Sequence, residues 1–267
     1  MLRPIRKIYQ FIVDKPIKKT EILNQRYQVL NIIGTGSYGI VYLCEDLQTK
    51  EKRVIKQLRP SKCSNNNEIK LFTDEISTMR KIKHKNMPIF YEDFSDKGHY
   101  FYVMSYIDGI NMEDEIFSYK KTFKEKDSLL FIAELLKLVD YLHQHDIYHL
   151  DLRIPNILVK DKNPYLIDFG LAIQVKPHQS TNNKNETSTE EMRFQDYYDL
   201  GDILLYLLYT TYSSETKKAL PWTEELSLTH ETVSLLKRLL RIDEPYSNIH
   251  SILNDLYDAV KAIETSN

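Results

Sequence analysis

HLDLRIPN, residues 149–156, is the stretch that decides the fold of this 267-residue chain, and the triplet DFG follows at Asp168, twelve residues after Asn156. Asp151 is a carboxylate able to accept a proton from a hydroxyl group. Asn156 and Asp168 offer oxygen ligands of the kind that Mg²⁺ prefers. Any one of these residues alone is best interpreted as a turn or cap residue. Together, in this order, they predict one catalytic site.

A glycine-rich loop lies upstream, in GTGSYGIV at residues 34–41. Gly34, Gly36 and Gly39 lack a Cβ, so backbone N–H groups can approach a phosphate there. The pattern alone is weak, because dinucleotide-binding folds share it. In those folds a helix follows the glycines, whereas here the strand-like IVYLCE follows. We therefore interpret the loop as a phosphate cover instead of an ordinary hairpin.

Lys56 is a cation within the apolar run Val54-Ile55-Lys56, where an unpaired ammonium group would be costly. Glu75, on a predicted helix, is the natural partner. Asp74 is the competing acid, and the register favours Glu75 because Met79 and Ile82 share its helix face. With the loop and the three polar residues described above, this pair completes the set of parts that phosphoryl transfer from ATP requires.

The order and spacing of these pieces resemble a eukaryotic-type serine/threonine protein kinase, in a divergent form of bacterial type. The resemblance implies ATP-dependent phosphorylation of protein serine and threonine hydroxyls, with ATP and Mg²⁺ as cofactors and Asp151 as the catalytic base. Lys56 and Arg153 would assist catalysis, and Asn156 and Asp168 would hold the metal. Arg153 stands where serine/threonine kinases usually carry Lys, which leaves tyrosine specificity open.

The resemblance also implies an adenine pocket. Met104 would border its deep end, and backbone groups of Ser105 and Ile107 would pair with the adenine edge. The residues expected to bind the nucleotide are Ile33, Gly34, Gly36, Gly39, Val41, Val54, Lys56, Glu75, Met104, Ser105, Ile107 and Leu158.

Several positions depart from the family pattern. Leu150 replaces an expected Arg, the cation that would pair with a phosphorylated activation loop, so we expect no switching by that route. The usual APE triplet is absent, and Tyr246 or Ser247 stands where its Arg partner is expected. The absence of both members of this buried ion pair is self-consistent, because the loss of one alone would leave the other as an unpaired buried charge. Asp196 matches the Asp that opens the central helix of the helical lobe in this family.

Composition agrees with a globular enzyme. The net charge is −2, so no global field favours nucleic acid. Two cysteines, Cys44 and Cys63, form no disulfide framework, which suits a cytoplasmic location. No apolar run reaches the length of a membrane helix, and no signal peptide is visible. The expected partner is a protein substrate; the oligomeric state stays open. A basic amphipathic stripe in residues 3–12 favours a packed helix over a weak membrane anchor.

The predicted fold class is α+β, a bilobal protein-kinase-like fold with a β-rich N-lobe and a mainly helical C-lobe. The predicted divisions are an N-terminal extension at 1–26, an N-lobe at 27–107 and a C-lobe at 108–267. Periodicity predicts strands at 27–33, 40–45, 53–58, 89–94 and 99–106. It predicts helices at 73–83, 126–145, 196–209, 230–241 and 248–263, with a mobile polar loop at 176–191.

Two alternatives stay open at this point. A small-molecule phosphotransferase of the aminoglycoside or choline kinase type shares the HxDxxxxN pattern and a later metal-binding Asp. The missing docking loop favours it, and the complete glycine loop, the DFG glycine and the DYYDLG match at residues 196–201 disfavour it. A pseudokinase scaffold is the other alternative, and the filled catalytic positions argue against it.

Overall fold

The computed structural model describes residues 13–175, 188–213 and 220–266. The chain divides into two compact units, Met1–Asp108 and Gly109–Asn267, called here the N-terminal and C-terminal units. The division falls one residue beyond the predicted end of the N-lobe at 107. The basic stripe in residues 3–12 lies outside the described residues.

An antiparallel sheet of six strands forms the N-terminal unit, one more strand than the sequence predicts, in the order β1-β2-β3-β4-β6-β5. Its strands are β1 Ile22–Leu23, β2 Tyr27–Thr35, β3 Gly39–Asp46, β4 Lys52–Leu58, β5 Phe90–Asp96 and β6 His99–Ser105. The extra strand, β1, lies inside the predicted N-terminal extension and pairs with the start of β2. The sheet therefore begins before residue 27.

Helix α1, Asn66–Met79, packs on this sheet through Phe72 and Ile76, which cluster with Leu58 and Tyr102. It begins seven residues before the predicted start at 73 and ends before the predicted end at 83. The early start has a local cause, because the Asn65 side chain accepts a hydrogen bond of 2.9 Å from the Asn67 backbone N–H.

Helices dominate the C-terminal unit. They are α2 Met112–Phe117, α3 Glu125–Gln144, α4 Thr189–Tyr209, α5 Trp222–Glu225, α6 His230–Leu239 and α7 Ile249–Ser266. The apolar positions of α3 run most of the way round the helix, so it is buried between α4 and α7. The structure confirms the prediction of a bilobal α+β architecture at the level of these elements.

Helix α4 begins at Thr189, seven residues before the predicted start at Asp196. Ser188 caps it, accepting a hydrogen bond of 3.1 Å from the Glu191 backbone N–H. The predicted polar loop at 176–191 is therefore wrong for residues 189–191, while residues 176–187 lie outside the described residues.

Short strands shape the segment around residue 151. They are β7 Ile110–Asn111, β8 Ile147–Tyr148, β9 Ile157–Lys160, β10 Asn163–Leu166 and β11 Ile173–Gln174. Strands β10, β9 and β7 form one small sheet and β8 pairs with β11. None of the helices in the described ranges is long and apolar enough to cross a membrane.

Candidate active site

A buried ion pair lies in the N-terminal unit. The Lys56 ammonium nitrogen is 2.6 Å from Glu75 Oε1, and the two side chains are 7% and 5% exposed. The Tyr102 hydroxyl donates to the same carboxylate oxygen at 2.8 Å. Lys56 lies on β4 between Val41 and Tyr102 of the neighbouring strands, while Glu75 projects from α1. The sheet and the helix together therefore fix the position of a cation that neither would hold alone.

The glycine loop forms the hairpin between β2 and β3. Its tip is closed by the Gly36 N–H, which donates to the Gly39 carbonyl at 3.0 Å. A Cβ on Gly39 would lie 2.8 Å from the Gln57 carbonyl oxygen and 3.3 Å from two carbons of Lys56, so only glycine fits there. Gly34 and Gly36 have ordinary space around the Cβ position. Among the three glycines of the hairpin, Gly39 alone is sterically required by the neighbouring protein atoms.

The predicted adenine-binding residues of the N-terminal unit lie on adjacent strands. Val54 and Met104 are cross-strand partners of β4 and β6, and Val54 is buried. The Ser105 backbone N–H donates to the Ile89 carbonyl at 2.9 Å, so this amide is already engaged. Ile107 is half-buried just after β6, and Ile33 is exposed on β2.

The Asp151 carboxylate is fixed by its neighbour in the motif. Asn156 Nδ2 donates to the Asp151 carbonyl at 2.9 Å and to Asp151 Oδ2 at 2.8 Å. A turn of 3₁₀ helix, Ile154–Asn156, brings the asparagine back towards Asp151. The loop is also tied at Pro155, whose carbonyl accepts a hydrogen bond of 2.8 Å from Asn111 Nδ2. The predicted base and one predicted metal ligand are therefore in direct contact.

Asp168 is joined to this pair through the backbone. Ile157 and Leu166 are partners in the β9–β10 hairpin, and the Ile167 N–H donates to the Asn156 carbonyl at 3.0 Å. Asp168 follows with a left-handed φ of 62°, a conformation that costs a non-glycine residue energy. The next residue, Phe169, is buried with its ring centroid 5.0 Å from that of His149. Burial lowers the pKa of His149, because desolvation disfavours the charged imidazolium.

Helix α4 anchors the backbone on both sides of Asp151. The fully buried Asp196 carboxylate accepts hydrogen bonds from the backbone N–H groups of His149 at 3.0 Å and Leu150 at 2.8 Å. Its Oδ2 also lies 2.8 Å from His143 Nε2. Leu150 has a left-handed φ of 59°, so the anchor holds a strained residue directly before Asp151.

Asp199 is a second anchor that the sequence analysis missed. It accepts hydrogen bonds from the Leu152 backbone N–H at 3.2 Å and from Gln195 at 2.7 Å. Burial, and then the nearby charges of Asp196 and Asp151, raise its pKa to about 6. Its spacing of three residues from Asp196 places both carboxylates on one face of the helix, and that spacing was the available signal.

The remaining predicted residues of the C-terminal unit lie within or directly after residues 149–156. Arg153 is exposed in extended backbone directly before the 3₁₀ turn. Leu158 is half-buried on β9, where a Cβ on Gly109 would approach it to 3.3 Å. Asn111, which caps α2 as well as holding Pro155, was not singled out from the sequence.

Comparison with known proteins supports the same interpretation. A family model described as the protein kinase domain matches residues 27–194. A Bacillus subtilis (strain 168) protein, "Probable serine/threonine-protein kinase YbdM", is 39% identical over 262 residues, covering 97% of this chain and 99% of the relative. Human "Myosin light chain kinase family member 4" is 32% identical over 60% of this chain, and the match spans 42% of that protein. The crystal structure of the Mycobacterium tuberculosis PknI kinase domain superimposes with a TM-score of 0.69 at 15% identity, covering 92% of this chain and 99% of that one.

This chain belongs to the protein kinase domain family. The predicted resemblance is confirmed, and neither the small-molecule phosphotransferase nor the pseudokinase alternative is favoured. Kinases of this family use ATP with a divalent metal ion and act on protein substrates.

Proposed function

We propose that this chain transfers the γ-phosphoryl group of ATP to serine and threonine hydroxyls of proteins. The observation that carries the proposal is the contact between Asp151 and Asn156, with Asp168 tied to them through Ile167. A proton acceptor and two metal ligands thereby lie within one short, doubly anchored segment. The preference for serine and threonine rests on the B. subtilis relative, whose match spans almost the whole of both chains.

Asp151 acts as the base that orients the substrate hydroxyl and accepts its proton. The Asn156 amide donates to one carboxylate oxygen, so a hydroxyl group is left with the other, and the approach direction is fixed. Arg153, exposed two residues further on, supplies positive charge for the phosphoryl group in transfer.

Mg²⁺ fits the residues present. Both Asn156 donor bonds go to Asp151, which leaves the amide oxygen as the group that can face a cation. No group of three or more histidine, cysteine, aspartate or glutamate side chains suited to a metal occurs in the part of the chain that the structure describes. That is the pattern expected of Mg²⁺, which takes one or two protein ligands and completes its shell with phosphate and water. The ion would neutralise charge on the β- and γ-phosphates, held by Asn156 and Asp168.

Most of the proposed nucleotide contacts come from the N-terminal unit. Lys56, held by Glu75, contacts the α- and β-phosphates, and the hairpin of Gly34, Gly36 and Gly39 covers them. The adenine ring lies among apolar side chains and the backbone that follows β6. These adenine contacts are Ile33, Val41, Val54, Met104, Ser105, Ile107 and Leu158.

Domain limits and location are part of the same proposal. We assign one kinase domain, with its N-lobe at 27–107 and its C-lobe at 108–267, preceded by an extension at 1–26 whose strand β1 joins the N-lobe sheet. Both cysteines are free, with Cys44 buried and Cys63 half-buried, which suits a reducing cytoplasm and a location there.

Asp151→Asn tests the proposal. An amide oxygen at this position can still accept the Asn156 hydrogen bond, so the fold and the ATP site should persist while the base is lost. We expect turnover on a generic basic protein with Mg-ATP to fall by at least about 10²-fold, with ATP affinity within about threefold. The matched control is Asp258→Asn, which removes an exposed carboxylate of α7.

Retention of most turnover by Asp151→Asn would remove this aspartate from the mechanism. Phosphoamino acid analysis of the labelled protein separates serine and threonine from tyrosine. ADP release with choline or an aminoglycoside, and no labelling of protein, would instead favour the small-molecule enzyme.

A further inference from the structure

The N-terminal segment at residues 13–19, called the strap, is bound to the N-terminal unit by a buried carboxylate. Asp14 is 9% exposed, and it accepts hydrogen bonds from the Ser61 N–H at 2.8 Å and the Ser61 hydroxyl at 3.0 Å. Further along the strap, the Ile17 N–H donates to the Tyr42 hydroxyl at 3.1 Å. The strap is therefore attached to β3 and to the turn after β4.

Arg59 connects the strap to the tip of the glycine hairpin. One nitrogen of its guanidinium group, Nη1, lies 3.1 Å from Asp14 Oδ2. Another, Nε, donates to the Gly36 carbonyl at 2.7 Å, and the Arg59 backbone N–H donates to the Tyr38 carbonyl at 3.3 Å. One planar side chain thus joins a buried acid to the part of the hairpin that carries the glycines.

The two ends of this connection differ in how firmly they are held. The Asp14 side chain is 4% exposed and accepts three hydrogen bonds, whereas the hairpin tip is open, with only one atom within 4 Å of the Cβ position of Gly36. A guanidinium group presents its donors in a rigid fork, so fixing Nη1 also fixes the direction of Nε. The buried acid therefore restrains the open tip of the hairpin through Arg59.

We propose that Asp14 and Arg59 are positioning residues for ATP, which keep the glycine hairpin in the conformation that covers the phosphates. The proposal rests on the proposed function, in which this hairpin is the phosphate cover. Without the restraint the hairpin samples other conformations, and apparent ATP affinity falls by the fraction of molecules still competent to bind. Once ATP is bound the chemistry is unchanged, so KM rises while kcat stays the same.

The test compares Asp14→Ala, Arg59→Ala and the double variant at varied ATP concentration. If the hairpin is competent in between a tenth and a third of molecules, KM for ATP rises about 3- to 10-fold, with kcat within about twofold. Because both residues act through one connection, KM for ATP in the double variant should be no higher than in the single variant with the larger effect. Arg59→Lys, which keeps the charge but not the fork, should recover only part of the affinity.

Ser61→Ala is the matched control, since it removes one hydrogen bond of Asp14 and leaves the Arg59 connection in place; KM should stay within twofold. Unchanged KM in both alanine variants, or KM effects that multiply in the double variant, would overturn the proposal. Calorimetric titration of each variant with Mg-ATP gives a second readout. If the wild-type chain binds Mg-ATP without transferring phosphate, the proposed function fails, while the titrations still decide whether Asp14 and Arg59 position the nucleotide.

Discussion

The substitution Asp196→Asn separates the anchoring of the catalytic loop, residues 149–156, from its chemistry. The carboxylate accepts from His149, Leu150 and His143, and it is completely buried. An amide has one oxygen where the carboxylate had two, so an NH₂ group must face at least one backbone N–H. A buried donor left without a partner costs about 1–3 kcal/mol, and we expect the free energy of unfolding to fall by that amount.

The effect on turnover follows from the strain at Leu150. A left-handed φ costs an ordinary residue about 1–2 kcal/mol, and the hydrogen bond to Asp196 opposes that strain. When the bond is weakened, Leu150 can relax and displace Asp151, the next residue. Small misplacements of a reacting group cost up to about 100-fold in rate, so we expect kcat to fall 10- to 100-fold while KM for ATP changes little.

Urea unfolding followed by circular dichroism measures the first quantity, and phosphate incorporation into a basic protein at saturating Mg-ATP measures the second. Asp258→Asn, on the exposed face of α7, should change neither. If Asp196→Asn loses stability but keeps kcat within threefold, the anchor supports the fold without positioning Asp151, and the reasoning is refuted.

Three further predictions concern other residues. Burial raises the pKa of Asp199 to about 6, so between about pH 4 and pH 6 the folded chain keeps a proton that the unfolded chain has released. The free energy of unfolding therefore falls as the pH rises from about 4 to about 6. Asp199→Asn should flatten that part of the curve and raise stability at pH 7 by about 1–2 kcal/mol, after discounting for partial exposure; thermal melts at several pH values measure this. Gly39→Ala should push its new methyl group against the Gln57 carbonyl, lowering the melting temperature and raising KM for ATP at least threefold, whereas Gly36→Ala should leave the melting temperature unchanged. Tyr246→Phe loses the hydrogen bond to Asp255 and should cost about 1–2 kcal/mol in urea unfolding with turnover intact.

Local chemistry and register could be predicted from the sequence because they depend on spacing alone. The choice of Glu75 over Asp74 is an example: the helix face shared with Met79 decides it, and in the structure Glu75 is buried while Asp74 is exposed. Five strands of the N-terminal unit were likewise located by alternation, with end residues that differ from the observed ones by at most two positions, whereas the short strand β1 was missed.

Two of the five predicted helix starts, those of α1 and α4, were seven residues too late, while the other three lie within one residue of the observed starts. The first residues of both helices, Asn66 and Asn67 in α1 and 189–191 in α4, are polar and exposed, so apolar periodicity cannot locate these starts, which are set by the caps at Asn65 and Ser188. Contacts between segments far apart in sequence were not predictable either. The link from Asp14 to Arg59 spans 45 residues, and no spacing rule connects them.

Contacts in the structure explain how two positions function without the Arg expected in this family. Leu150 lacks the cation expected at its position, yet its N–H still donates to Asp196, so the anchor does not depend on that side chain. Tyr246 stands near the position of an expected Arg. Its ring lies under the Arg238 guanidinium, 3.8 Å from the centroid, and its hydroxyl donates to Asp255 at 2.6 Å, so no charge is stranded. Asp196 and Asp199 already hold the catalytic loop through its backbone N–H groups, so position 150 needs no phosphate-dependent ion pair. We therefore expect activity without phosphorylation of the activation loop.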